Sequence, residues 1–243
     1  NVYTIVYASV MVIIVAFLLA FVASVLKPTQ DVNVENDVKN QILTSLNLKS
    51  TDVKADYDKT MQDKLIKDGE LVDVEADYKN LVKNKFMQEG SPVVFVATLK
   101  DGSTKYVIPM TGRGLWGGLW GYVALDEDLQ TVYGSYFSHE SETAGLGALI
   151  AERKFQTSFN GKKVFANDPQ TMALTVVKSG KAGNDPNKVD GITGATLTSN
   201  GVAAMVTENL QKYVNALQKT SPTEELPDVE EYENIENIQP EQE

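Results

Sequence analysis

From Val2 to Leu26 the chain is apolar without a single Asp, Glu, Lys, Arg, His, Asn or Gln. As a helix, such a run of about 25 residues spans roughly 37 Å, more than the ~30 Å hydrocarbon core of a bilayer. Tyr3 and Tyr7 suit a membrane interface, and Lys27-Pro28 ends the apolar run. A cleaved signal peptide has a shorter apolar region, ~7–15 residues, closed by small residues. The segment is therefore read as a retained anchor. The chain starts at Asn1 rather than Met, so a few preceding residues are expected; one span is established, but not its direction.

Beyond Pro28 the period of the pattern changes. Glu35 to Leu48 is amphipathic at helical spacing, with Val38, Ile42, Leu43 and Leu46 on one face. Residues 51–90 are charged and carry no clear period. Pro92–Thr98 reads as a buried strand that turns at Asp101-Gly102 into a second, Lys105–Pro109. Tyr122–Leu125, Thr131–Tyr136 and Met172–Lys178 read as further strands. Glu142 to Phe155 starts as a glycine-bearing turn and continues as a helix through Leu146, Leu149 and Ile150. A last helix places Val202, Met205, Val206, Asn209, Leu210, Val214 and Leu217 along one stripe. Strands interspersed with three helices predict an α+β domain with a mostly antiparallel sheet behind one N-terminal transmembrane helix. The expected boundaries are an anchor at 1–27, a helical and charged part at 28–90, the main domain at 91–220 and a tail at 221–243.

Charge sharpens the last boundary. The chain carries 22 basic and 33 acidic residues, a net −11. Nine of the acidic residues and no basic ones fall in 221–243, so the preceding 220 residues balance 22 against 24. The tail reads as solvated and flexible. No basic patch interleaved with aromatics points to nucleic acid. Cysteine is absent and His139 is the sole histidine, which excludes thiolate clusters, disulfides and cysteine nucleophiles, and argues against a self-contained histidine metal site. Redox chemistry in such a chain must come from an organic cofactor. His139 itself reads as structural.

Asp190 to Gly201 is the most informative stretch. Thr193, Thr196, Thr198 and Ser199 surround Gly194-Ala195 just before the last helix. The free N–H groups and macrodipole of a helix start attract phosphate, with one such contact worth ~0.3–1 kcal/mol when exposed and up to ~2 when partly buried. Capping chemistry alone would make this an ordinary helix start.

Thr193-Gly-Ala-Thr-Leu-Thr198 resembles the flavinylation motif of the FMN-binding domain family, in which the last Thr accepts FMN through a phosphoester. Two upstream segments are similar to that family's other elements: Gly112-Arg-Gly-Leu-Trp-Gly117, and His139-Glu-Ser-Glu-Thr-Ala-Gly-Leu-Gly147, where Ala144 replaces the usual Pro. The resemblance implies a covalent FMN on Thr198. It also implies cofactor contacts from Thr193, Gly194, Ala195, Thr196, Leu197, Leu115, Trp116, Glu142, Thr143, Gly145 and Leu146. Glu142 and Thr143 would meet the ribityl chain or ring edge, and Leu115 and Trp116 the ring. Lys178 would offer positive charge to the phosphate or the reduced flavin. Trp120 reads as core.

No base-plus-metal constellation is evident in the chain, so no catalytic or metal-binding residue of its own is assigned. The resemblance implies a separate magnesium-dependent flavin transferase that loads Thr198 from FAD. Anchor and motifs together resemble a subunit of a bacterial inner-membrane, sodium-translocating NADH:quinone oxidoreductase complex, with the soluble domain periplasmic and the other subunits as partners. The related subunit of an Rnf-type ferredoxin:NAD+ complex is the alternative, and the long 35–90 region favours the former. A membrane-anchored binding module without flavin is the reading of a different class. No dinucleotide fingerprint supports a self-sufficient reductase.

Overall fold

Proline does not stop the first helix. In the computed structural model, which describes residues 2–81, 86–88, 91–166 and 171–220, helix α1 runs unbroken over Val2–Ser45 with Pro28 inside it. The apolar run and the amphipathic segment from Glu35, expected as two helices, are thus one. Pro28 removes a single backbone hydrogen bond in a fully exposed stretch. The far end is held by burial of Val38, Ile42 and Leu43. Among the described residues, α1 is the one helix long and apolar enough to cross a membrane.

The remaining elements are α2 (Val53–Thr60), β1 (Met61–Lys67), β2 (Glu70–Asp73), α3 (Tyr78–Leu81), β3 (Met87–Gln88), β4 (Ser91–Thr98), β5 (Thr104–Arg113), β6 (Gly118–Asp126), β7 (Val132–His139), a 3-10 turn at Gly147–Ala151, α4 (Arg153–Thr157), β8 (Thr175–Val177), β9 (Lys188–Asp190) and α5 (Thr196–Gln218). The sheet has the order β2-β1-β4-β5-β6-β7, with β3 also pairing with β4, and every pair in it is antiparallel. β8 and β9 form a separate parallel pair.

Alternation along the strands builds two cores. Val94, Ile108, Met110, Leu119, Val123 and Phe137 face α5. Val93, Phe95, Val107, Tyr122 and Ala124 face the C-terminal end of α1, with α2 and α3. The sheet is therefore a filling between α1 and α5, and whatever α5 presents at its N-terminus lies on the face opposite the anchor helix.

Several expectations need correction. The charged region before residue 90 contributes β1 and β2, joined by a two-residue turn at Asp68-Gly69 with φ of 50° and 81°. The helix expected across 142–155 is broken into the 3-10 turn and α4, because Glu152 adopts extended backbone between them. Of the expected 172–178 strand, Thr175–Val177 pairs with β9 and Met172 makes an isolated antiparallel bridge to Phe165. The tail at 221–243 lies outside the described residues.

Helix α5 packs on the β5–β6 hairpin at contact distance. A Cβ on Gly201 would sit 2.3 Å from the Arg113 carbonyl oxygen. Backbone cannot yield as a side chain does, so Gly201→Ala is expected to destabilise the domain by about 1–3 kcal/mol, read as a lowered midpoint in denaturant titration of the detergent-solubilised chain.

Candidate functional site

Three chain segments meet at the N-terminus of α5. The first is the tip of the β5–β6 hairpin, where the Gly114 N–H donates to the Gly117 carbonyl at 2.9 Å and closes a turn carrying Leu115 and Trp116. Gly112 lets this hairpin lie on α5, since a Cβ there would fall 2.6 Å from that of Met205. The second segment follows β7. The Glu142 N–H donates to His139 Nδ1 at 3.2 Å, and the Thr143 carbonyl accepts from the N–H groups of Leu146 and Ala148 at 3.1 Å. Gly145 completes that turn at φ 75°. His139 thus serves as a turn cap.

The third segment is the hydroxyl-rich turn. Gly194 sits at φ 79°, and Ser199 staples the turn, its Oγ accepting from Ile192 N–H and donating to the Ala195 carbonyl, both at 2.9 Å. The helix begins earlier than the pattern of apolar positions predicts. Its N-cap is Ala195, which offers no side-chain cap, so Thr196, Leu197 and Thr198 lie inside the first turn. That turn's N–H groups have no intrahelical acceptor. The ordinary reading of these threonines as helix caps does not hold: Thr193 Oγ1 donates to Ser179 Oγ at 2.9 Å, and Thr198 is turned inward.

Thr198 carries the decisive contact. Its hydroxyl donates to Glu142 Oε2 at 2.6 Å, and the residue is only 1 % exposed. The other carboxylate oxygen accepts the Trp116 N–H at 2.9 Å, and the N–H groups of Leu115 and Gly117 also bear on the carboxylate. Burial of Glu142 opposes its charge, but the Thr198 hydroxyl and the three hairpin amides outweigh it and hold the carboxyl below its ordinary value. A carboxyl lowered on folding stabilises the fold above its unfolded pKa, and that contribution is lost as pH falls through the folded value. Glu142→Gln is therefore expected to flatten the acid limb of stability below about pH 4.5, the unperturbed value, in denaturant titrations at stepped pH.

Around this buried pair the surface is apolar. Leu115, Trp116, Leu146 and Leu197 are 48, 65, 42 and 59 % exposed; outside α1, Val72 is the only other large hydrophobic comparably exposed among the described residues. On the other side of the turn a cleft of 190 Å³ is lined by Lys178, Ser179, Thr193, Gly194, Thr196 and Asn200. A larger one of 490 Å³ adjoins it, bordered by Leu149, Phe155 and Ile192. Unsatisfied helix amides, hydroxyls and a lysine beside an exposed apolar rim match the needs of a phosphate joined to a flat apolar ring. FMN fits this chemistry. The structure brings Leu115, Trp116, Glu142, Leu146, Gly194 and the residues from Ala195 to Thr198 together at the start of α5. Lys178 lies across the turn from Glu142, lining the cleft rather than the buried pair, and Thr143 contributes its carbonyl to the turn while its side chain is exposed. Trp120 donates Nε1–H to Gln41 Oε1 of α1 at 3.1 Å, on the opposite face of the sheet.

Residues 114–211 match the family model of the FMN-binding domain. The C subunit (NqrC) of the Na+-translocating NADH-quinone reductase of Haemophilus ducreyi is 33% identical over 212 residues, covering 78% of this chain and 82% of that protein. The chain belongs to the NqrC family. The crystal structure of NqrC from Parabacteroides distasonis superposes with a TM-score of 0.70 at 39% identity, over 79% of this chain and 96% of that one. The Shewanella oneidensis structure shares the fold at a TM-score of 0.65 and 22% identity, over 77% and 99%. The NqrC relatives belong to an oxidoreductase complex. Membership decides for the sodium-translocating over the ferredoxin-linked family, and the single apolar helix α1 is consistent with a single-pass anchor in a membrane complex.

The sequence motifs place Glu142 and Thr198 in the same site but give no sign that they pair with each other. Glycine spacing held the missed signal. A Cβ at Gly147 would lie 2.5 Å from Glu142 Oε2 and 2.6 Å from Thr198 Oγ1, and one at Gly114 would lie 2.4 Å from Glu142 Oε1. The motif glycines are the space in which this pair sits.

Proposed function

We propose that the chain is the flavin-carrying subunit of a sodium-translocating NADH–quinone reductase, holding FMN by a phosphoester on Thr198 Oγ1 and relaying electrons between other subunits. The observation that carries this reading is the position of Thr198. It is the hydroxyl of the first turn of α5 that is buried and oriented by a carboxylate, beside helix amides suited to a phosphate and an apolar rim suited to a ring.

FMN bound there would supply one-electron redox chemistry. The chain's own residues bind and orient it: Thr198 by covalent attachment, Leu115, Trp116, Leu146 and Leu197 by apolar contact, and Thr193, Thr196 and Lys178 by polar contact near the phosphate. Glu142 and the hairpin amides support Thr198. Attachment suits this surface. A ring resting on side chains that are 42–65 % exposed is near enough to the surface for electron exchange but weakly held, and a covalent bond resolves the conflict.

In this reading α1 anchors the chain in the bacterial inner membrane, residues 91–220 hold the flavin on the periplasmic side, and a separate magnesium-dependent transferase loads it. The partners are the membrane subunits of the complex. The test is co-expression with such a transferase, followed by denaturation and exhaustive filtration. Flavin absorbance retained by the denatured chain is the expected result. A colourless chain with flavin in the filtrate would overturn covalent attachment and leave a non-covalent site.

A further inference from the structure

We infer that Glu142 is the general base of flavin loading, the acceptor's own contribution to a reaction otherwise run by the transferase. The inference rests on Thr198 being the attachment point. Glu142 Oε2 lies 2.6 Å from Thr198 Oγ1 and receives its proton in a hydrogen bond, which is the distance at which a positioned carboxylate takes a hydroxyl proton during attack. Among the described residues no other titratable side chain bonds to Thr198.

Glu142 is also fixed independently of its partner. Its Oε1 accepts the Trp116 N–H, its own N–H is tied to His139 Nδ1, and the residue is 7 % exposed. These anchors belong to the hairpin and to the end of β7. Gly147 abuts the pair, too close to Glu142 Oε2 and Thr198 Oγ1 to carry a Cβ, while Gly145 faces open space.

The step balances without electron transfer. Thr198 Oγ1 forms a bond to the flavin-side phosphorus of FAD held with Mg2+ by the transferase. The phosphoanhydride P–O bond breaks, and its electron pair leaves with AMP. The Thr198 proton passes to Glu142 Oε2 and from there to water. A similar division of labour holds in phosphoryl transfer by protein kinases, where an aspartate accepts the proton of the attacking hydroxyl.

The experiment measures loading of the detergent-solubilised full chain by purified transferase with FAD and Mg2+, as mass gained per chain over time, for wild type, Glu142→Gln and Glu142→Asp. Glutamine keeps the shape and turns the contact around, its Nε2–H donating to Oγ1, so it preserves a hydrogen bond while removing the charge and with it the proton acceptor. The expected result is a fall in kcat of about 10²–10⁴-fold for E142Q, the usual contribution of a general base. The KM for the chain should stay near wild type, the unfolding midpoint at neutral pH should drop only by the carboxylate's own contribution with the chain still folded, and the loading rate of E142D should fall in between. E142Q loaded within about threefold of wild type, or altered in KM alone, overturns the inference and leaves Glu142 a structural partner. The inference also fails if E142D loads no faster than E142Q while both remain folded. A wild-type chain that gains no flavin on the Thr198 peptide overturns the attachment reading itself and this inference with it, and only that outcome spares neither.

Discussion

Thr198→Val is expected to yield a folded chain with no covalent flavin. Valine matches threonine in shape and differs little from it in helix propensity, so α5 retains its first turn. The lost hydroxyl removes one hydrogen bond from Glu142, which keeps the Trp116 N–H at 2.9 Å and the neighbouring hairpin amides. The stability change should be about 1.5–3 kcal/mol, the range for a hydrogen bond to a charged group, while covalent loading falls to nothing. A helix start contributes only ~0.3–2 kcal/mol to holding a phosphate, so non-covalent FMN should wash out. In-gel flavin fluorescence after denaturing electrophoresis reads the result. A persistent band in T198V would move the attachment to Thr196 or Thr193, the other motif hydroxyls on the same turn.

Gly147→Ala should slow loading and destabilise the fold without abolishing either, from a residue that is not assigned to ring or phosphate contact in the motif. The new methyl would stand 2.5 Å from Glu142 Oε2, 2.6 Å from Thr198 Oγ1 and 3.1 Å from Glu142 Cβ. Thr198 is held by the helix and Glu142 by the hairpin and His139, so neither gives way at little cost. Either the pair separates or the 142–147 turn moves outward. Both outcomes predict destabilisation of about 1–3 kcal/mol and loading slowed on the order of tenfold or more, the equivalent of about 1.4 kcal/mol in the barrier. Comparison with Gly145→Ala separates the mechanisms. That glycine has open space around its missing Cβ but a φ of 75°, so its substitution strains the backbone without touching the pair.

The parts of the fold that follow a single period were legible before the structure. The membrane-length apolar run, the inward face of Val38, Ile42 and Leu43, and the strands around Val93–Ala97 and Tyr122–Leu125 all stand where the pattern puts them. Failures came where local signals competed. Pro28 reads as a helix end, yet the helix continues because tertiary packing at its C-terminal turns overrides one missing bond. β1 and β2 hid among charges because one side of this edge hairpin is solvated. Their Asp68-Gly69 turn, with both φ positive, is nonetheless the strongest short-range hairpin signal a sequence offers.

The site divides in the same way. Its composition was legible from the three motifs, since each places glycine and hydroxyl residues at fixed offsets. Its internal wiring was not. The Thr198–Glu142 bond joins residues 56 positions apart, and no periodicity reports a contact between the end of one strand and the start of a distant helix. The large glycine content of the motifs carried that information indirectly, as the volume that two buried polar groups require.

The central claim is that Thr198 is the site of a phosphoester-linked flavin, and intact mass with peptide mapping of the chain purified from its native host addresses it most directly. The predicted result is a mass excess of one FMN less water, confined to the peptide containing Thr198. An unmodified mass from cells that contain the flavin transferase, or the same excess on a peptide without Thr198, would contradict it.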